Sequence, residues 1–441
     1  MTNNNSVLDN ARYYKHGLVH HVLKSGKVII KVPKDKFPEF HTKDHFMIEK
    51  HSLGILFKRG IKTPKDIRII EKCSRFDDKS VLIEKYIGGI QKKKSTLTKK
   101  ESLNIIKAMD KIHSITVKGY GYISTDRCGH FKSWREFLLK TINELKEYFS
   151  TGESKYRLCL QFLENINLEF LQYKEKGKFL TTDINPGNIF FNKDGSIKAI
   201  IDIDHPESGD PLFDYASIKW YNHRLYKHIK INDFHKIKKI LTYEIIIALS
   251  TIMFRKKHEL PTKKDLCRTI KLIENFEYNL ISQSNISLLI IKPEVNKILK
   301  TIKKRLKSLG YKVVYDIQKE DFKKYLSFFY GDAYSASQIK HFVKAYENID
   351  SRFHCLIIKY YRYNTIRKLT KDVGHYIRYQ SIPDKSLRSE FGFPEKYNYT
   401  RKGFSVVFNA FHKIDNIEDF INHSKKLNLE RFINFGNQSK T

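Results

Sequence analysis

The hydrophobic period of this chain changes twice along its length, and those changes bound the folds open to it. Up to about residue 90 the apolar residues alternate as they do in strands. Residues 18–23 and 27–32 flank a Ser25-Gly26 turn and read as a hairpin, a helix fits 43–59, and further strands fit 66–71 and 80–86. From Lys99 the helical period takes over, with Leu103, Ile106, Met109 and Ile112 on one face. Helices follow at 133–149, 154–174 and in several spans between 217 and 283, interrupted by a hairpin at 190–203 around Asp194-Gly195. After about 285 the strand pattern restarts. A strand at 287–291, a helix at 294–309, a strand at 311–317, helices within 320–347, a strand at 354–361, a helix at Thr365–Val373, a strand at 404–411 and a helix at Ile417–Lys426 make a βαββαβ alternation. The expected domains are 1–90, 91–285 and 286–441, with a short junction near 281–286. The class is α+β: a strand-rich lobe, a helical lobe, and a ferredoxin-like sheet with helices on one face.

Composition narrows the functional classes. The chain has 441 residues, enough for two or three domains, and is 41% hydrophobic, too apolar for a disordered protein. Its longest apolar run, 245–254, is far short of the roughly 18 residues that span a bilayer. The N-terminus has neither a basic nor an apolar segment of a secretory signal. Five scattered cysteines without a C-x-x-C pair argue against disulfides and zinc and for free thiols in the cytoplasm. The net charge of +34, from 82 Lys and Arg against 48 Asp and Glu, invites a polyanionic partner. It is spread along the chain, densest at Lys92–Lys94 and Lys99-Lys100, without a basic tail or a nucleic-acid recognition motif. Abundant Lys, Ile and Asn together are what AT-rich coding produces, so most of this charge reads as solvated surface.

One stretch carries clear chemistry: Thr181-Thr182-Asp183-Ile184-Asn185-Pro186-Gly187-Asn188, followed beyond the hairpin by Asp202. Phosphoryl transfer needs a carboxylate to receive the proton of the accepting hydroxyl and oxygen ligands for Mg2+ on the nucleotide phosphates. Asp183 fits the base; Asn188 and Asp202 fit the metal. An Asx-turn before Pro-Gly explains Asp183 alone, but not all three residues.

These residues resemble the aminoglycoside phosphotransferase and choline kinase superfamily, relatives of the protein kinases, whose loop reads H-G-D-x-x-x-x-N. Thr181-Thr182 stands where that family has His-Gly. Gly209-Asp210-Pro211-Leu212-Phe213-Asp214 resembles its G-D-P-x-x-D segment, and His113, Gly121-Tyr122 and Ser133-Trp134 resemble the stretches before its loop. The resemblance implies a bilobal protein-kinase-like fold using Mg2+ and ATP. It implies that Lys31 reaches the α- and β-phosphates, that Glu49 pairs with Lys31, and that Glu84 to Tyr86 form a hinge meeting adenine through backbone groups. The phosphate-covering loop would be 14–20, with Gly17 its one glycine.

The last domain carries a second pattern: Lys292-Pro293-Glu294, Arg388-Ser389-Glu390-Phe391 and Asn409-Ala410-Phe411-His412. In this order it resembles nucleoside diphosphate kinases, in which a histidine carries a phosphoryl group between nucleotides. The resemblance implies His412 as nucleophile, Asn409 as a ribose or phosphate partner, Lys292 and Arg388 as phosphate clamps, and Tyr330 beside the histidine. Lys413-Ile414 replaces that family's Gly-Ser after the histidine, and His423 falls near the acid that orients it.

Three functions follow. The first is a Mg-ATP-dependent kinase of small-molecule hydroxyls whose last domain binds or rephosphorylates nucleoside di- and triphosphates. The second is a nucleotide-binding regulator with one or both sites degenerate. The third, a nucleic-acid-binding protein, rests on charge alone. The positive field favours a neutral or anionic acceptor over polycations, although Asp204, Glu207 and Asp210 would make either a local acidic pocket or a solvated turn. No membrane partner is expected.

Overall fold

The computed structural model describes residues 4–150, 154–231, 233–330, 335–347, 349–360, 365–374, 386–391, 399–401, 404–406, 410–414, 416–429 and 432. The chain divides into two compact units, Met1–Ile231 with Lys238–Glu274, and Asn275–Asn434 with Asn232–Ile237. The boundary thus falls ahead of Asn275 and not at 285. The reason is the helix Phe276–Ser284, which buries Phe276, Leu280 and Ile281 and packs in the second unit.

The first unit opens with an antiparallel sheet of five strands: β1 (Arg12–His16), β2 (His20–Ser25), β3 (Val28–Pro33), β4 (Arg68–Cys73) and β5 (Lys79–Lys85), in the order β1-β2-β3-β5-β4. Gly26, at φ +55°, turns β2 into β3 in a conformation that costs other residues strain. The two-residue period of β3 sorts its side chains. Ile30 and Val32 join Val81 and Ile83 of β5 in one core. Ile29 and Lys31 face a cleft on the other side, where Ile29 lies opposite Glu84. The helix Lys43–Lys58, capped by Thr42, buries His45, Phe46, Glu49, Ser52, Leu53 and Leu56. Glu49 is therefore a carboxyl on an otherwise largely apolar stripe, and needs a cation.

The rest of the first unit is mainly helical, as its periodicity suggests, with some differences in detail. The helix Lys99–His113 starts in a capping box of Thr98 and Glu101 and buries Ser102, Ile105, Met109 and Ile112. Its buried stripe is rotated from the expected face, so Leu103 is 38% exposed. The helix expected over 154–174 is confined to Arg157–Glu164. The Asn167 side chain accepts from the N–H groups of Glu169 and Phe170, an Asx-type turn that competes with continued helix. Short strands too brief to show a period complete the unit. They are β6 (Ile90–Gln91), β7 (Tyr120–Ile123), β8 (Gly129–Phe131), β9 (Lys178–Leu180), β10 (Ile189–Phe191), β11 (Ile197–Ile200) and β12 (Glu207–Gly209). They form two small sheets, β11-β10-β6 and β8-β7-β12-β9, which flank the segment from Thr181 to Asn188.

The second unit is built on β13 (Ile286–Ile291), β14 (Tyr311–Lys319), β15 (Phe353–Tyr360) and, after the ribbon β16 (Tyr399–Arg401) and β17 (Phe404–Val406), β18 (Phe411–Lys413). The sheet order is β14-β15-β13-β18, every pair antiparallel. All six residues of β13 are buried, as a central strand requires. The helices Leu299–Ser308 and Thr365–Val373 contribute Ile302, Leu306, Leu369 and Val373 to the core on one face. The single strand expected over 404–411 is divided: β17 pairs with β16, and the strand that joins the main sheet is β18. Among the described residues no helix is long and apolar enough to cross a membrane, and all five cysteines are free thiols.

Candidate active site

Lys31 is the centre of the first unit's cleft. Its ammonium donates to Glu49 and, at 2.7 Å, to Asp202. Lys31 and Glu49 are buried; the Asp202 side chain is 36% exposed toward the cleft. Burial alone would strip the charge from Lys31, but Asp202, Glu49 and Glu84 together hold its pKa well above the usual lysine value. Burial pushes Glu49 and Glu84 up to about 7, against the pull of Lys31. Burial also opposes ionisation of Asp202, yet the Lys31 charge and hydrogen bond outweigh it and lower its pKa. Asp202 is thus the ionised partner, and it takes a left-handed backbone at φ +64°.

The segment Thr181–Asn188 is held from below by Asp214. The Asp214 carboxylate accepts from Thr181 N at 3.0 Å, Thr182 N at 2.8 Å and the His113 ring at 2.9 Å. Thr182 sits at φ +56°, a strained conformation for a β-branched residue. Its hydroxyl donates to the carbonyl of His205 at 2.8 Å, and its own carbonyl accepts from Ser217. These contacts explain how Thr-Thr serves in a turn where glycine would be freer. Asn185 accepts from Gly187 N, Gln91 donates to Gly187 O at 2.7 Å, and Asn188 O receives Ile201 N at 2.9 Å. The loop and the strand leading to Asp202 are thereby locked together. Burial and the nearby Asp202 raise the pKa of Asp183, opposed by Lys94 and His205.

One cavity of about 850 Å3 unites these groups: Lys31, Glu84, Asp183, Asn188 and Asp202 all line it, as do Gly17 and Tyr86. The carboxyl of Glu84 also feels the charge of Lys31, a role the hinge reading did not foresee. The carboxyl of Glu84 makes no hydrogen bond among the described residues, and its Oε2 is sealed from solvent. The hinge donors are engaged elsewhere: Lys85 N bonds Lys65 O and Tyr86 N bonds Lys27 O. Ile87 also lines the cavity.

The cavity also holds residues that sequence reasoning missed as a site. Tyr122, Phe137, Phe213, Tyr221 and Phe254 form apolar walls, with Lys94 and Arg255 as cations. Lys94 donates to the carbonyl of Tyr221 at 2.8 Å. Lys94 was visible only as part of the densest basic run, and nothing local marks the others. Of the three acids considered for an acceptor pocket, Asp204 and Glu207 line the cavity. Burial pushes Asp204 up to about 7, helped by the charge of Asp202, and Glu207 up to about 8, helped by Asp214. Asp210 instead caps the helix Pro211–Tyr221 through Leu212 N and bonds Tyr243 and Lys239.

Asn188 and Asp202 offer oxygen ligands on one cavity wall, the donor set Mg2+ prefers. Among the described residues no cluster of three or more His, Cys, Asp or Glu forms a metal cage.

In the second unit His412, Tyr330 and Lys292 stand together. Tyr330 meets the His412 ring edge-on at 5.9 Å, and the Lys292 ammonium lies 5.2 Å from the Tyr330 ring centre. Arg388 differs from the expected clamp: it is buried and donates to the carbonyls of Gly374 and Phe411, pinning the backbone beside His412. Asn409 lies outside the described residues.

No protein-family model and no curated protein sequence matches the chain. Solved structures do. The aminoglycoside phosphotransferase APH(4)-Ia is similar with a TM-score of 0.53 at 14% identity, covering 63% of this chain and 97% of that one. A thermostable mutant of that enzyme in its apo form gives 0.49 at 15% identity, over 62% and 94%. The gentamicin complex of APH(2")-IIa gives 0.42 at 15% identity, over 61% and 92%. Roughly the first 60% of the chain therefore has an aminoglycoside-phosphotransferase-like, protein-kinase-like fold, bilobal and α+β.

Proposed function

We propose that the first unit is a phosphotransferase that moves the γ-phosphoryl group of ATP to a hydroxyl of a small molecule. The observation that carries this reading is Lys31 held between Glu49 and Asp202 in a cavity that Asp183 and Asn188 also line. In the proposed reaction Asp183 receives the proton of the acceptor hydroxyl as its oxygen bonds to phosphorus and the bond to ADP breaks. Its raised pKa makes it a better base than a solvent-exposed carboxylate. Lys31 holds the α- and β-phosphates, and the Asp214 network keeps Asp183 in position. Mg2+, held by Asn188 and Asp202, would neutralise charge on the phosphates.

The acceptor is proposed to be neutral or anionic. The aromatic residues of the cavity, with Lys94 and Arg255 among them, support that reading. The second unit is proposed to be a ferredoxin-like, nucleoside diphosphate kinase-like domain that binds or rephosphorylates nucleotides through His412. Its sheet order β14-β15-β13-β18 supports that topology, and the cluster of His412, Tyr330 and Lys292 supports the site. Nucleoside di- and triphosphates are then its partners, and the free cysteines suit a cytoplasmic setting.

The test is untargeted: purified protein, Mg-ATP and a metabolite panel, with products read by mass spectrometry. A phosphorylated product that disappears with Asp183→Ala is the expected result. ATP consumption equal in wild type and Asp183→Ala for every metabolite would refute it.

A further inference from the structure

His412 and His423 meet edge to edge. His412 lies on β18 and His423 on the helix Ile417–Lys426. Their Nε2 atoms are 2.9 Å apart, a hydrogen-bond distance. The ring centres are 5.0 Å apart, about the N···N distance plus one ring radius at each end, so the nitrogens point at each other. One of them must carry the hydrogen.

The other nitrogen of His423 decides which. Its Nδ1 lies 2.7 Å from the backbone carbonyl of Asp419. A carbonyl only accepts, so His423 Nδ1 is the donor. Neutral imidazole has a single N–H. His423 Nε2 therefore presents a lone pair, and His412 Nε2–H donates to it. The lone pair of His412 is thereby assigned to Nδ1. Burial, His423 and the cations Lys292, Arg388 and Lys413 hold His412 well below the usual imidazole pKa. Burial lowers His423 too, against the Asp419 carbonyl and carboxylate. Both shifts favour the neutral rings that this chain of donors requires.

Aromatic rings hold the pair in place. Phe329 lies within 8° of parallel to His423 and 4.7 Å from the centre of His412. Phe328 meets His423 edge-on at 4.8 Å.

We propose that His423 is the positioning residue of a phosphoryl-accepting histidine: by accepting from His412 Nε2–H it fixes Nδ1 as the nucleophile. The inference rests on the reading of His412 as a phosphohistidine carrier. In the step itself the Nδ1 lone pair bonds to the γ-phosphorus of a nucleoside triphosphate. The bond from that phosphorus to the bridging oxygen breaks, and its electron pair leaves with the nucleoside diphosphate. The positive charge created on the His412 ring is relieved when Nε2 passes its proton to His423 Nε2. His423 becomes an imidazolium whose Nδ1–H still donates to Asp419 O. An imidazole thus performs, without a carboxylate, the orienting task that the acid has in the enzymes this domain resembles.

The experiment uses the full chain and two readouts. Nuclear magnetic resonance of isotope-labelled imidazoles, with His412→Gln to assign the signal, should show the His412 hydrogen on Nε2, shifted downfield and slow to exchange. His423→Ala should abolish that protected proton, and His423→Gln should keep it, because the amide oxygen accepts in the same place. Incubation with ATP radiolabelled at the γ-phosphate should give an acid-labile label that is lost in His412→Gln, reduced roughly tenfold or more in His423→Ala, and only partly restored in His423→Gln, whose amide holds the ring but cannot take its proton. A His412 hydrogen on Nδ1, or labelling unchanged by His423→Ala, would overturn the proposal. A protected Nε2 proton sensitive to His423 in a protein that never takes label would sustain the His412–His423 hydrogen bond and sink the phosphohistidine reading instead.

Discussion

The ammonium of Lys31 lies 2.7 Å from the carboxylate of Asp202, 171 positions further along the chain, and donates to Glu49 at the same time. This pairing joins β3 and the Lys43–Lys58 helix to the segment after β11, so it bears on both stability and reaction. Replacing Lys31 by Met leaves two acids without their cation. The expected cost is about 3 kcal/mol in urea unfolding, with phosphotransfer down roughly a hundredfold. Lys31→Met with Glu49→Leu should recover much of the stability and none of the turnover. Wild-type turnover in Lys31→Met would remove the lysine from the reaction.

Glu207 makes stability depend on pH. Its folded pKa, about 8, lies above the ordinary glutamate value because burial, and then Asp214, disfavour its charge. Below the unfolded pKa both states are protonated and its contribution is fully present. As pH rises toward 8 the unfolded chain sheds the proton first, and stability falls. Glu207→Gln mimics the protonated carboxyl and should remove this loss. Unfolding at pH 5 should differ little between the two proteins, whereas at pH 8.5 the variant should be ahead by about 1–3 kcal/mol. Parallel profiles across that range would show that Glu207 is charged in the folded protein.

Asp214 lies outside the cavity yet holds the loop that carries Asp183. Asp214→Ala leaves Thr181 N, Thr182 N and His113 without their acceptor. Turnover should fall at least about tenfold, while nucleotide affinity, measured by calorimetry, stays within about threefold of wild type. An equal loss in affinity would mean that Asp214 supports the whole cleft.

Thr182 combines a strained φ of +56° with a hydroxyl bond to His205 O. In Thr182→Gly relief of strain and loss of the bond should nearly cancel, within about 1 kcal/mol. Thr182→Val keeps the strain and loses the bond, so it should be less stable by about 1–2 kcal/mol. If glycine is the worse substitution by thermal unfolding, Thr182 stores less strain than the backbone freedom that glycine loses on folding.

These sites differ in how far the sequence discloses them. Asp183, Asn188 and Asp202 are legible because one loop and one hairpin carry them all at fixed spacing. Lys31 and Glu49 became readable through family resemblance, since a lysine near a strand end is common and only tertiary contact makes it special. Tyr221 and Arg255 were invisible as site residues because distant helices bring them to the cavity. In the helix Lys99–His113 the buried residues include Ser102 and Ile105, whereas the apolar period points to Leu103 and Ile106. His423 looked unfit for an orienting role by residue type. Only the Asp419 carbonyl behind it shows what an imidazole can do there.

The helix Phe276–Ser284 has a practical consequence. It brings Phe276, Leu280 and Ile281 into the interior of the second unit and packs against β13 and the helix that carries His423. A fragment beginning at Ile286 would lack those three side chains and expose the neighbours they cover, inviting aggregation through a bared apolar patch. Cutting between Glu274 and Asn275 instead keeps the helix with its sheet, and is where the chain should be divided if each proposed activity is to be assayed alone.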